Sequence, residues 1–181
     1  TAERGAQAQR NLHLTCFVIA SREARDYLDR NCLAGLGWMS DRWWKPALQS
    51  DRIAIENHSF DHNHAAIPLP GIDGMQRGTF HPVDSLVRAD AEIAQAARSI
   101  DAVIAPQRTS LFCYPYGHAN DYLRTEYLAL HQNEHGMRAA FGDGAQPVTI
   151  DSDRWNLPRY ICGHHWQASE ALRDILCAPP S

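Results

Sequence analysis

Short apolar runs of strand character alternate along this chain with stretches of helical period, and that alternation leaves few architectures open. The clearest runs are residues 12–19, 52–56 and 110–114, each rich in β-branched or aromatic side chains and flanked by polar or turn residues. Between the last two, residues 83–101 carry Val83, Leu86, Val87, Ile93, Ala97 and Ile100 close to helical spacing. Ser21 is placed to cap a helix over 22–32, whose first turn holds Arg22, Glu23, Arg25 and Asp26. A short helix is expected near 41–49, another over 120–133 and a last one near 168–177, with short strands near 137–141, 147–150 and 157–162. Residues 2–10 read as the end of a helix. Strands alternating with helices predict an α/β fold with a mainly parallel sheet or barrel. No repeat or linker interrupts the 181 residues, so one domain spanning 1–181 is expected.

Composition narrows the function classes. A formal charge of -4 with interspersed signs leaves no basic footprint for nucleic acid. No apolar run approaches the roughly 20 residues that span a bilayer. Of the five cysteines, Cys16, Cys113 and Cys162 lie in strand-like runs as small hydrophobes, and no CxxC pair points to a disulfide scaffold or a cysteine-rich zinc site. No signal peptide is evident, and a cytoplasmic location is slightly favoured over a periplasmic or secreted one. The oligomeric state is not legible.

The second strand runs directly into Glu56-Asn57-His58-Ser59-Phe60-Asp61-His62-Asn63-His64. In parallel α/β folds the loops after strand ends form the active-site face. Two histidines four apart, His58 and His62, can share one face of a turn and converge on one ion. Imidazole suits zinc, iron, cobalt and nickel alike, so the spacing does not name the metal. Taken alone, His-x3-His is equally compatible with a polar loop that happens to hold histidines.

The segment His58-Ser59-Phe60-Asp61-His62 resembles the H(S/T)xxH metal motif of the polysaccharide deacetylase, or NodB-homology, family. Phe112-Cys113-Tyr114-Pro115-Tyr116-Gly117 is similar to its next motif, Leu14-Thr15-Cys16-Phe17-Val18-Ile19 to its second strand, and Leu157-Pro158-Arg159-Tyr160-Ile161-Cys162 to its late strand. The order and approximate spacing agree from about residue 12 to 176. The resemblance implies a distorted (β/α)7-type barrel, here lacking its first strand, with the site at the C-terminal ends of the strands. It also implies a hydrolase that removes N-acetyl groups from a sugar polymer or oligomer, with a divalent transition metal, zinc before cobalt, nickel or iron.

By the same resemblance His58 and His62 are the histidine ligands, and the backbone N–H of Tyr116 would receive the developing oxyanion. His164 or His165, with His164 slightly preferred, would protonate the leaving amine. Asp151 and Asp153 match the segment that orients this acid, and they can equally cap a turn. Asp61 is expected to support or cap rather than ligate, Ser59 to do similar supporting work, and His64 to be a solvated loop residue. Trp38, Trp43 and Trp44 offer either a wall for a sugar ring or core filling, the latter expected of Trp43 or Trp44. Asn120, Asp121 and Tyr122 are as suited to capping a helix as to touching substrate.

Three departures stand out. The family's Asp-Asp motif, source of a base and a metal-binding aspartate, has no counterpart here and is expected upstream of Thr1. Cys113 stands where many members carry an arginine that contacts the base. Two adjacent histidines occupy the late motif. Relatives on the same fold that open another C–N bond, such as cofactor-independent allantoinases, are an alternative, as is a non-catalytic carbohydrate-binding protein that lacks the base.

Overall fold

The computed structural model describes residues 12–178; the helix end expected over 2–10 lies outside them. Four strands, β1 (Leu14–Val18), β2 (Ile53–Asn57), β3 (Leu111–Cys113) and β4 (Ala139–Phe141), form one all-parallel sheet in the order β1-β2-β3-β4. Helices carry the chain between them. These are α1 (Arg22–Cys32), α2 (Trp44–Leu48, after a 3-10 turn Asp41–Trp43) and α3 over residues 86–104. Beyond β3 come α4 over residues 122–130, α5 (Gln132–His135) and, near the end, α6 (Ser169–Cys177). No helix among the described residues is long and apolar enough to cross a membrane.

Local chemistry explains several boundaries. The Ser21 hydroxyl accepts the Ala24 N–H at 3.1 Å, the cap expected for α1 and worth about 1 kcal/mol. Asn120 accepts the Leu123 N–H at 2.8 Å, so its carboxamide caps α4. The strand expected over 147–150 does not form. Val148 is 56% exposed and Ile150 98% exposed, and an apolar run with no partner strand has no ladder to join. Over 157–162 the pairing reduces to isolated bridges, Phe141 with Leu157 and Cys162 with Trp166. Cys162 is therefore exposed rather than a core hydrophobe, while Cys113 is buried, and all five cysteines are free thiols.

One face of the sheet packs on helices. Val18 and Ile55 meet Trp44 of α2 and Ala96, Ile100 and Ile104 of α3. Phe112 and Ala140 meet Ile93 and Ala97 of α3 with Leu123, Tyr127 and Leu128 of α4. Burying each large apolar side chain of this kind contributes about 1.5–3 kcal/mol. Trp44 is core, Trp43 is half-buried, and Trp38 is exposed.

The other face is concave. Phe17 of β1 and Phe141 of β4 meet edge to face with ring centroids 5.7 Å apart. Their strands are separated by β2 and β3, and in a flat sheet they would lie about 14 Å apart, at roughly 4.8 Å per strand. The sheet is thus curled as in a barrel, although among the described residues it remains open. The buried Glu56 carboxylate, paired in register with Phe17, ties β2 to the start of β3, accepting the Ser110 and Leu111 N–H groups at 2.7 and 2.8 Å. Glu56→Ala should cost about 1–3 kcal/mol, the range for a hydrogen-bonded charge removed from a buried donor pair, read as a lower urea midpoint at unchanged slope.

Candidate metal and active site

Side chains alternate faces along a strand, so Asn57, the last residue of β2, and His58, which follows it, leave the sheet on opposite sides. Asn57 turns to the helices, where its amide donates to the Ile93 carbonyl at 2.9 Å. His58 turns to the concave side, and its Nδ1 lies 2.7 Å from the Cys113 carbonyl oxygen at the end of β3. A carbonyl can only accept, so Nδ1 carries the proton and Nε2 keeps a free lone pair. That is the tautomer and the outer support typical of a metal-ligating histidine.

The loop then folds back so that His62 meets His58, ring centroids 4.8 Å apart. This return needs backbone in the left-handed region, with φ of 71° at Ser59, 65° at His62 and 43° at Asn63. Ser59, fully buried, secures it: its N–H donates to Asn57 Oδ1 at 2.9 Å and its Oγ accepts the His62 N–H at 2.9 Å. His62 Nδ1 is buried without any hydrogen-bond partner. A buried, unpaired imidazole nitrogen beside a second imidazole with a free lone pair is a donor set that fits two positions of a metal site. Among the described residues no third His, Cys, Asp or Glu completes such a group.

Burial, opposed by the bond to Cys113 and reinforced by the Arg159 charge, lowers the His58 pKa from 6.5 to about 4. His62 falls to about 3, chiefly through burial, with repulsion from His58 and His64 adding to it. Both rings are therefore neutral at pH 7, the form that can ligate.

Tyr116 joins these histidines. It sits in the Pro115–Gly117 turn after β3 with φ 60°, and its ring packs 4.5 Å from that of His62. The next residue, Gly117, has φ +73°, and a Cβ there would come within 2.8 Å of the Asp143 carboxylate. His64 lies against His62 with tilted rings 5.6 Å apart and accepts the Ala66 N–H, closing its own turn. Asp61 bonds Arg77 at 2.9 Å and caps the Asn63 N–H at 2.8 Å, a supporting arrangement that occupies both oxygens.

The late residues take other places. His164 is exposed, His165 half-buried, and their contacts are with each other at 4.5 Å, with Tyr160, and with the Ile161 backbone, whose N–H His165 Nδ1 accepts at 2.8 Å. Asp153 pairs with Arg124 at 2.9 Å and caps the Trp155 N–H at 2.9 Å. Its carboxylate is thus spent on a turn rather than on either histidine.

Sequence reasoning did not single out Arg159. Its Nε donates to the Gly142 carbonyl at 2.6 Å, and its charge acts on the buried Cys113 thiol and on His58. A cation therefore stands beside position 113 although residue 113 is a cysteine. Burial raises that thiol to about 11, so it is protonated and unreactive at pH 7.

The sequence profile of the polysaccharide deacetylase family matches residues 7–140, well over half of the chain. The chain belongs to the polysaccharide deacetylase family. Solved structures share its fold. BA0330 of Bacillus anthracis is 12% identical with a TM-score of 0.61, over 96% of this chain and 46% of that one. The Bacillus cereus polysaccharide deacetylase BC0361 is 13% identical with a TM-score of 0.52, over 88% of this chain and 42% of its own. A de-N-acetylase from Aggregatibacter actinomycetemcomitans is 17% identical with a TM-score of 0.51, over 73% and 51% respectively. The chain spans about half the length of these proteins. Among curated proteins, none matches it.

Within this polysaccharide deacetylase domain the histidines set a pH signature. Between the folded values of about 3–4 and the ordinary 6.5, the unfolded chain binds more protons than the folded one. Their contribution to the stability of the chelator-treated chain should therefore rise as pH climbs from about 4 to 6.5 and then level off. Urea melts of the wild type minus those of a His58→Gln/His62→Gln variant isolate this slope. A difference independent of pH would contradict the buried neutral state of both rings.

Proposed function

We propose that this chain contributes the histidine half of a metal-dependent hydrolase that removes N-acetyl groups from a sugar polymer or oligomer. The reading is carried by one observation: His58 is locked by Cys113 into the tautomer with Nε2 free, next to His62, whose Nδ1 is buried and unpaired. Its chemistry comes from the family to which the chain belongs.

His58 and His62 would hold a divalent transition metal, zinc in the first instance, which when bound polarises an amide carbonyl and acidifies water. The chain's own residues prepare that site. The His58–Cys113 bond holds one ring in place, and the Ser59 hydroxyl holds the other through its backbone. The Tyr116 ring packs on His62 at the exposed rim, covering one side of the pair while its backbone N–H is offered as an oxyanion donor. Arg159 adds positive charge beside His58, which favours anionic groups in its vicinity. His164 or His165 would deliver the proton to the leaving amine, a role that requires their segment to approach the histidine pair when substrate is bound. Among the described residues none is assigned as the aspartate base or the remaining ligand.

Elemental analysis of the full-length protein should find about one transition metal per chain, the stoichiometry of a single mononuclear site. His58→Ala should remove it and abolish acetate release from an N-acetylglucosamine oligomer. Undiminished metal content in that variant would defeat the ligand assignment. Metal binding with no acetate release, but with turnover of a cyclic amide or ureide, would keep the site and replace the substrate.

A further inference from the structure

The loop that carries His58 and His62 rests on a buried acid for which the proposed hydrolysis has no use. Glu92 is 0% exposed and lies in the π-helical stretch Asp90–Ala94 of α3. Its Oε2 accepts the Phe60 N–H at 3.3 Å, and its Oε1 is buried with no hydrogen-bond partner. Beside it stands Asp61, held by Arg77. The next residue of the same stretch, Ile93, offers the carbonyl that Asn57 binds, and from there the chain of bonds runs through Ser59 to the His62 N–H, each link 2.9 Å.

Both halves of the loop are thus tied to consecutive residues of one helical turn. Phe60, midway between the histidines, hangs on Glu92. His62, at the far end, hangs on Ile93 through two side chains. A π-helical turn disturbs the normal ladder and re-aims backbone and side-chain groups, which is why such turns recur at functional sites. The loop needs this support, because Ser59, His62 and Asn63 hold left-handed backbone that surrounding structure must impose.

We propose that Glu92 is a positioning residue, whose side chain fixes the backbone between His58 and His62 so that the two rings are preset to share one ion. The proposal rests on the reading of those histidines as ligands. Burial, with the Asp61 charge adding to it, pushes the Glu92 carboxyl up to about 8, so at pH 7 it is a neutral acid. In that form it accepts from Phe60 without setting a second negative charge beside the Asp61 carboxylate. A neutral glutamine keeps an acceptor oxygen for the Phe60 N–H at the same length, and a leucine has none.

The test is amide exchange in the chelator-treated full-length protein, followed by titration with cobalt or zinc. In Glu92→Leu the Phe60 and His62 amides should exchange about tenfold faster or more, the effect of losing roughly one buried hydrogen bond, with Phe112 and Ala140 still protected. Metal affinity should fall by about 10–100-fold, as on losing support behind a ligand, and Glu92→Gln should restore both readouts. Unchanged protection at Phe60 and His62 in Glu92→Leu overturns the proposal, and so does a Glu92→Gln variant as impaired as Glu92→Leu. If Glu92→Leu does not fold, Glu92→Asp withdraws the carboxyl by one methylene and reads the same contact, with unchanged Phe60 exchange again overturning the proposal. A wild-type protein that takes up no metal yet shows Glu92-dependent protection would defeat the ligand reading and with it the proposal, whereas metal uptake with Glu92-independent affinity would defeat the proposal alone.

Discussion

The bond from His58 Nδ1 to the Cys113 carbonyl joins the C-terminal ends of two neighbouring parallel strands, and most of the site follows from it. It exists because β2 and β3 pair in a register that sets Asn57 against Phe112, which brings the residue after each strand's pairing position to the same rim. A one-residue slip would send His58 to the helix side and Asn57 to the concave side. The same bond decides which imidazole nitrogen is free. Register, tautomer and ligand capacity are one constraint seen at three scales.

Around that bond the protein accumulates neutralised ionisable groups. His58 and His62 are held uncharged by burial, Cys113 is held as a thiol, and Glu92 is held as an acid. The charges that remain are ordered: Arg159 stands beside His58 and Cys113, and the Arg77–Asp61 pair lies under the loop. Burying charges without partners would cost several kcal/mol each, so neutrality is the less costly state. The acid and the histidines also pull stability in opposite directions with pH. The two rings favour folding as pH rises toward 6.5, while the raised Glu92 value disfavours it between about 4.5 and 8.

Much of the fold was legible because it rests on local signals. The runs 12–19, 52–56 and 110–114 became β1, β2 and β3, and Ser21 opened α1 as a serine N-cap should. The run 147–150 had the same apolar character and formed nothing, since a strand is defined by its neighbour and Ile150 has none. The site divides in the same way. His58, His62 and Tyr116 lie next to strand ends, where sequence order dictates position, and the structure brings them together. Asp153 was equally suited to an acid-orienting role and to a turn, and the structure sets it against Arg124, 29 residues away, and the Trp155 N–H. Glu92 and Arg159 reach the site from a helix and a late segment distant in sequence, and neither carries a local mark of its role.

By itself the sequence determined the α/β alternation, the parallel sheet and the histidine loop at the end of its second strand. These depend on side-chain period, capping and the order of short motifs, all of which act over a few residues. The tertiary structure alone decided the curl that brings Phe17 to Phe141, the tautomer of His58, and the anchoring of its loop on Glu92 and Ile93. Those features are contacts between segments tens of residues apart. No local pattern encodes them, because each exists only once the strands have chosen their register and burial has removed the water that would otherwise satisfy the same groups.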